Sequence, residues 1–259
     1  MATAGIDVGT QTVKVVILNG GVVVSRAKAF CGFDPAKAAE EALNEGLKTA
    51  KLKFADLKHV TATGSGMELA PHTNSTISMM GADAKAGVRL FPKARTIIDI
   101  GAEEARAVKC DERGVMADFV VNERCAAGAG TFIEALARAL ELKMEDMGPL
   151  SLKAERASAI NASCVIFGES DVVTLIHKKE SKPEIARAVF DAMADRVSSM
   201  VRRLGINPDV VLVGGVAKDV GFIASLKRKL GVDVLIPEFP EFAGAFGAAL
   251  VAAGRVKEA

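Results

Sequence analysis

The 259-residue sequence has no tryptophan and no tyrosine, and twelve phenylalanines make up its whole 5% aromatic content. Few side chains are therefore available for the stacking platforms that bind nucleic-acid bases or for aromatic carbohydrate clefts. No apolar run reaches the ~18 to 20 residues that a membrane-spanning helix needs. Lys and Arg (33) balance Asp and Glu (32), so charge indicates no polyanionic partner. These absences predict a protein that binds neither nucleic acid nor membrane.

Close cysteine spacing and a secretory signal are absent as well. The four cysteines, at positions 31, 110, 125 and 164, form no CxxC motif and no metal knuckle. The first residues lead directly into a strand pattern instead of a signal peptide. We therefore predict a cytoplasmic protein with reduced thiols. Its 50% apolar content can fill the cores of one large domain or two smaller ones.

Hydrophobic periodicity predicts an α/β protein built from a repeated unit. A meander of three strands near the start of the chain is followed by a helix, and the same pattern restarts near residue 96. The predicted strands are 4–8, 13–18, 22–29, 59–63, 96–100, 104–110, 115–121, 209–213 and 233–236. The predicted helices are 35–51, 73–90, 131–142, 169–179, 183–204, 219–230 and 242–253. We expect two lobes over a shared cleft, residues 1–94 with helix 241–259, and residues 95–240.

In each meander, a similar turn follows the first strand: one lies after Asp7 and the other after Asp99. Small residues let backbone N–H groups approach an anion, and threonine hydroxyls add donors. Mg²⁺ commonly combines one or two carboxylates with phosphate oxygens. One Asp-x-Gly turn is more often an ordinary hairpin, but two at equivalent positions favour phosphate binding. The predicted residues are Asp7, Asp99 and Glu103 for catalysis, and Gly9, Thr10, Gln11, Thr12, Lys14, Gly101 and Ala102 for phosphate.

A third glycine turn, Gly214-Gly215, ends the hydrophobic strand 210–213 just before a predicted helix. A nucleoside could lie against its bare backbone, although a tightly packed strand-to-helix turn explains this segment alone equally well. Neither a GxxxxGK[ST] P-loop nor a GxGxxG motif opening a βαβ unit is present. In this order, the three segments resemble the two phosphate segments and the adenosine segment of the actin, sugar-kinase and heat-shock ATPase superfamily. The resemblance implies two ribonuclease-H-like lobes that bind ATP and change their relative orientation on hydrolysis.

Cys125 and Cys164 each precede a predicted helix, where the helix dipole favours a thiolate. Spacing alone would favour buried packing for both. Their surroundings, CAAGAG at 125–130 and NASCVIFGES at 161–170, resemble the double signature of the ATP-dependent activators of 2-hydroxyacyl-CoA dehydratases and the related ATPase subunits of benzoyl-CoA reductase. The resemblance implies a dimer of identical or homologous ATPase chains, each giving two cysteines to one [4Fe-4S] cluster. Cys31 and Cys110 match neither signature.

The resemblance also implies partners: catalytic reductase or dehydratase subunits, and reduced ferredoxin or flavodoxin as electron donor. Gly128 and Gly130, just after Cys125, are expected to sense both ATP and the cluster. The activators typically have Asp-Ile-Gly-Gly-Gln-Asp where residues 99–104 are Asp-Ile-Gly-Ala-Glu-Glu, and their aromatic and arginine are missing from the turn at 62–67. These departures favour a benzoyl-CoA reductase ATPase subunit. The alternatives are a dehydratase activator, a sugar or acyl kinase without a cluster and with Asp99 or Glu103 as general base, and a non-catalytic nucleotide sensor.

Overall fold

The structure is a computed structural model that describes residues 1–122, 129–156, 158–161 and 164–258. The strands are β1 (Ala2–Val8), β2 (Thr12–Asn19), β3 (Val22–Phe30), β4 (Leu57–Thr63), β5 (Ser75–Thr76), β6 (Thr96–Ile100), β7 (Ala105–Cys110), β8 (Met116–Val121), β9 (Val210–Val213) and β10 (Val234–Leu235). The helices are α1 (Pro35–Ala50), α2 (Met79–Leu90), α3 (Gly130–Ala139), α4 (Met144–Ser151), α5 (Val165–His177), α6 (Lys182–Leu204), α7 (Val220–Leu230) and α8 (Ala243–Glu258).

The first compact unit comprises Met1–Ile97, Val108–Ala117 and Pro237–Ala259. Its sheet has the strand order β3-β2-β1-β4-β5, in which β1 pairs antiparallel with β2 and parallel with β4. The apolar residues of β1 and β2 pack against α1, and Val16 and Leu18 of β2 pack with α8. Helices on both faces explain why β1 is buried along almost its whole length.

The second unit comprises Ile98–Ala107 and Asp118–Ile236. Its core joins β6, β7 and β9 to α3, α6 and α7, and its largest fully buried side chains include Phe132, Phe190 and Phe222. The second sheet has the order β10-β9-β6-β7-β8. The first sheet has its meander, β3-β2-β1, at one edge, and β4 and then β5 lie beside β1. The second sheet likewise has a meander, β6-β7-β8, at one edge, and β9 and then β10 lie beside β6. The repeated unit predicted from the sequence therefore appears as a repeated three-strand meander.

Two predicted helices need correction, and one helix was not predicted. The helix predicted at 73–90 begins only at Met79, because the backbone before it extends the sheet: the Asn74 N–H donates to the Val60 carbonyl (2.9 Å) and the Ile77 N–H to that of Ala62 (2.9 Å). The helix predicted at 169–179 begins four residues earlier, at Val165. Helix α4 was not predicted, because Pro149 lies inside it.

The expected lobes, 1–94 with 241–259 and 95–240, stay a prediction. Within the described ranges, none of the helices combines the length and apolar character that crossing a bilayer requires.

Candidate nucleotide site

The first candidate turn connects β1 to β2 and is closed by the Gly9 N–H, which donates to the Thr12 carbonyl (3.2 Å). Asp7 and Lys14 are directly opposite each other in the β1–β2 register. Their Oδ2 and Nζ atoms are 3.5 Å apart, and both side chains are only 16–17% exposed. This turn therefore places one paired carboxylate beside a closed backbone loop. Thr10, also predicted for this turn, is exposed, and Gln11 is partly buried.

Two glycines let backbone approach the Asp7 carboxylate closely. Gly64 follows β4 with φ +95°, and a Cβ there would lie 2.6 Å from Asp7 Oδ1. A Cβ at Gly244, in α8, would lie 3.2 Å from Asp7 Oδ2. Any side chain at Gly64 would therefore displace the carboxylate and would also strain the backbone. Bare backbone thus borders Asp7 on two sides.

The second candidate turn, between β6 and β7, has the same design. The Gly101 N–H donates to the Glu104 carbonyl (2.9 Å), which closes the turn. Asp99 Oδ2 accepts from Arg106 Nε at 2.9 Å, and these side chains are 13% and 10% exposed. Arg106 Nη1 also lies 3.5 Å from Glu104 Oε2. Glu103, predicted as catalytic, has an exposed side chain.

Two other segments of the second unit meet this turn. Gly214 follows β9 with φ +90°, and a Cβ there would overlap Asp99 Oδ1 and the Ile100 carbonyl. At the start of α3, the Gly130 N–H donates to the Gly101 carbonyl and the Thr131 N–H to the Ala102 carbonyl, each at 2.9 Å. A Cβ at Gly215 would meet open space. The structure thus brings together Asp99, Gly101, Ala102, Gly130 and Gly214.

The two turns form a duplicated constellation. In each, an Asp is followed two residues later by a glycine that closes the turn, and seven residues later by a basic partner, Lys14 or Arg106. In each, a glycine with positive φ lies against the carboxylate. This glycine, Gly64 or Gly214, directly follows the fourth strand of its sheet, counted along the chain. Such a repeat of carboxylate, cation and bare backbone suits an anion accompanied by a metal ion.

The model of one protein family, described as the BadF/BadG/BcrA/BcrD ATPase family, matches residues 4–252. The chain belongs to this family. It is 36% identical over 265 residues to one of the benzoyl-CoA reductase subunits of Thauera aromatica, covering 98% of this chain and 93% of that protein. It is 35% identical over 252 residues to the activator of lactoyl-CoA dehydratase of Anaerotignum propionicum, covering 97% of each. Membership confirms the predicted family and the prediction of an ATP-binding ATPase.

Solved structures confirm the predicted fold class. The activator of the 2-hydroxyisocaproyl-CoA dehydratase from Clostridium difficile, with bound ADPNP, superposes with a TM-score of 0.93 at 31% identity and covers 100% of this chain and 96% of its own. A ROK family glucokinase from Streptomyces griseus superposes with a TM-score of 0.60 at 14% identity, covering 98% of this chain and 100% of its own. The likeness to the glucokinase, at this low identity, shows the fold alone. The ATPase therefore shares the α/β architecture of the sugar kinases.

The predicted cluster ligands of this ATPase are described in part. Cys164 is the N-cap residue of α5, and its partly buried thiol forms no disulfide. Cys125 and Gly128 lie outside the described residues. Cys31 and Cys110 are buried in the first unit, at 5% and 6% exposure, which suits the packing role expected for them. Among the described residues, no group of three or more His, Cys, Asp or Glu side chains is arranged to hold a metal ion.

The described cysteines of cluster-free protein should differ in reactivity towards iodoacetamide. Burial raises the pKa of the Cys110 thiol, so less thiolate forms there at any given pH, and access is restricted as well. We expect Cys164 to be alkylated at least about tenfold faster than Cys110 at pH 8. Peptide mass spectrometry over time measures both rates, with urea-unfolded protein as the control in which they converge. Equal rates in folded protein would contradict the described burial.

Three residues of the site were missed by the sequence prediction. Arg106 could have been found from its spacing, because it follows Asp99 by the same seven residues that separate Lys14 from Asp7. Gly64 lies in the turn at 62–67, where the sequence shows only that the aromatic and the arginine of the activators are missing. Gly244 gives no signal in the sequence, since its approach to Asp7 depends on how α8 packs on β1.

Proposed function

We propose that the chain is an ATP-dependent electron-activating subunit. In this proposal it shares a [4Fe-4S] cluster with a homologous or identical chain and drives low-potential electrons into the catalytic component of a benzoyl-CoA (aromatic acyl-CoA) reductase. The observation that carries the proposal is the pair of backbone hydrogen bonds between Gly101-Ala102 and the start of α3. They tie a candidate phosphate turn to the helix that follows the Cys125 segment.

Both turns are proposed to bind nucleotide phosphate. Asp7 and Asp99 would hold Mg²⁺ and its water ligands, and the turn backbones with Lys14 would contact phosphate oxygens. The residues fit a metal ion, because each carboxylate is partly buried, oriented by a cation and bordered by bare backbone. Glu103 is proposed as the remaining catalytic residue of the second turn.

Gly214 and Gly215 are proposed to accept the nucleoside of ATP. Support comes from the open space beside Gly215 and from the ADPNP bound to the Clostridium difficile relative. Gly130 is proposed to sense the nucleotide, because its N–H is bonded to the turn itself. Gly128 has the same proposed role from the sequence.

Cys164 fits a cluster ligand, because its thiol is partly exposed and lies at the N-terminus of a 13-residue helix. Two chains, each contributing Cys125 and Cys164, would supply the four thiolates that a [4Fe-4S] cluster needs. When bound, the cluster supplies one-electron transfer at low potential. Reduced ferredoxin or flavodoxin is the proposed donor.

The coupling between nucleotide and cluster is proposed to run through backbone. A change at Gly101 or Ala102 on hydrolysis must move the Gly130 and Thr131 amides or break their hydrogen bonds. Either outcome changes the start of α3 and, with it, the segment that carries Cys125. In this proposal, hydrolysis thereby alters the surroundings of one thiolate.

A dehydratase activator is the second candidate. It is favoured by the superposition on the 2-hydroxyisocaproyl-CoA dehydratase activator, which has a TM-score of 0.93 and covers 100% of this chain. The Glu103 carboxylate at the second turn favours the reductase role instead, since the activators typically have the neutral amide of Gln at that position. A sugar or acyl kinase would share the turns but has no use for a thiolate at the start of α5.

Anoxic purification from the native source tests the proposal. We expect brown protein with about four iron atoms per two chains and a low-temperature EPR signal after reduction. A second ATPase-like chain and two larger subunits should accompany it. A stable homodimer that reduces a dehydratase would select the second candidate, and iron-free protein that phosphorylates a sugar or acyl group would overturn both.

A further inference from the structure

We infer that Arg106 is the positioning residue of the second turn. Its guanidinium holds the Asp99 carboxylate in place through Oδ2, so that Oδ1 faces the bare backbone of Gly214 and is available to Mg²⁺ or its water ligands. This inference rests on the proposed nucleotide role of the turn.

The contact between Arg106 and Asp99 has the geometry of a strong, charge-assisted hydrogen bond. Nε and Oδ2 are 2.9 Å apart, and the two side chains are nearly buried. Withdrawing a carboxylate from water in this way is costly unless a compensating charge lies beside it. Arg106 therefore supplies that charge and fixes the orientation of the Asp99 carboxylate, as a metal-binding oxygen requires.

The guanidinium is itself held from a second side. Arg106 Nη1 lies 3.5 Å from Glu104 Oε2, while the Glu104 carbonyl accepts the Gly101 N–H that closes the turn. Arg106 thus bridges both ends of the turn. Five donors in a planar fork allow this, whereas an ammonium group acts as a single point charge.

The equivalent cation of the first turn makes a looser contact. Lys14 Nζ is 3.5 Å from Asp7 Oδ2, at the end of a flexible side chain. Lys14 can therefore leave its carboxylate for a phosphate oxygen, whereas the Arg106 guanidinium is held by its 2.9 Å hydrogen bond to Asp99. The duplicated positions thus have different roles, phosphate contact at Lys14 and carboxylate positioning at Arg106.

Calorimetric ADP titrations of the anoxically purified protein, with Mg²⁺ and with EDTA, test the inference. We expect Arg106→Gln to weaken Mg·ADP binding about tenfold or more, and metal-free ADP binding less than about threefold. Arg106→Lys should recover only part of the lost Mg·ADP affinity, because an ammonium group keeps the charge beside Asp99 without the fork that bridges the turn. The matched control is Arg187→Gln, which removes a partly buried ion pair with Asp191 elsewhere in the second unit and should leave both affinities unchanged.

Thermal melting accompanies each titration. If Arg106→Gln does not fold, Glu104→Gln replaces it, because that change loosens the guanidinium from its exposed side. It should weaken Mg·ADP binding about two- to threefold, again with metal-free ADP unaffected. Equal losses with and without Mg²⁺, or no loss in any of these variants, would overturn the positioning role. Failure of the parent protein to bind Mg·ADP would instead refute the proposed function of the turn.

Discussion

Replacing Cys164 by serine is expected to abolish the proposed iron–sulfur cluster while leaving nucleotide binding within about threefold of the parent protein. The hydroxyl of serine does not ionise at neutral pH and is a poor cluster ligand, so the shared four-thiolate shell would lose one sulfur from each chain. Serine is a favourable N-cap residue, whereas the Cys164 side chain forms no capping hydrogen bond in α5. The helix start should therefore be preserved or stabilised by about 0.5–1 kcal/mol.

Visible absorption, iron content and the EPR signal measure the cluster, and calorimetry with Mg·ADP measures nucleotide binding. Cys110→Ser is the matched control, because it makes the same chemical change in β7, where the thiol is buried. That variant should keep its iron but lose about 1–2 kcal/mol of stability, since it buries a hydroxyl in place of a thiol. Full iron content in Cys164→Ser would refute the ligand assignment.

The parts of the fold that the sequence predicted are those that local patterns encode. Alternating apolar residues and tight turns define each meander. Asp34 and Pro35 mark the start of α1, because an aspartate at the N-cap and a proline in the first turn are typical of helix starts. The start of α2 was wrong because tertiary pairing decides it: residues 74–77 bond to the exposed edge of β4. No pattern within residues 73–90 distinguishes that extension from a further helical turn.

The site was predicted to a similar extent and for a similar reason. Asp7 and Asp99 could be found because each lies at the end of a strand and before a glycine turn. The meeting of Gly214 with Asp99 spans more than a hundred residues and requires β9 to lie beside β6, which depends on the strand order of the sheet. Arg106 was missed because a charged residue in a strand is normally solvent-facing, whereas here it is nearly buried against two carboxylates.

Gly214→Ala is expected to lower ATP hydrolysis by about 100-fold or more, because a misplaced catalytic group commonly costs that much. The new Cβ would overlap Asp99 Oδ1 and the Ile100 carbonyl, and alanine at φ +90° and ψ 176° adds about 1–3 kcal/mol of backbone strain. The carboxylate that Arg106 orients would be pushed from the opposite side. Steady-state ATPase assays and thermal melting of the same preparations measure the two effects separately.

Two further glycine variants separate strain from displacement. Gly231→Ala also places alanine at positive φ (+73°) in the second unit, but its Cβ would have no neighbour within 4 Å, so it should lose stability without losing activity. Gly215→Ala adds a methyl group to open space beside the same turn and should leave stability unchanged. If Gly214→Ala were no less active than Gly231→Ala, the clash with Asp99 would have no functional consequence. A large activity loss in Gly214→Ala but not in Gly231→Ala would instead show that hydrolysis depends on the placement of Asp99.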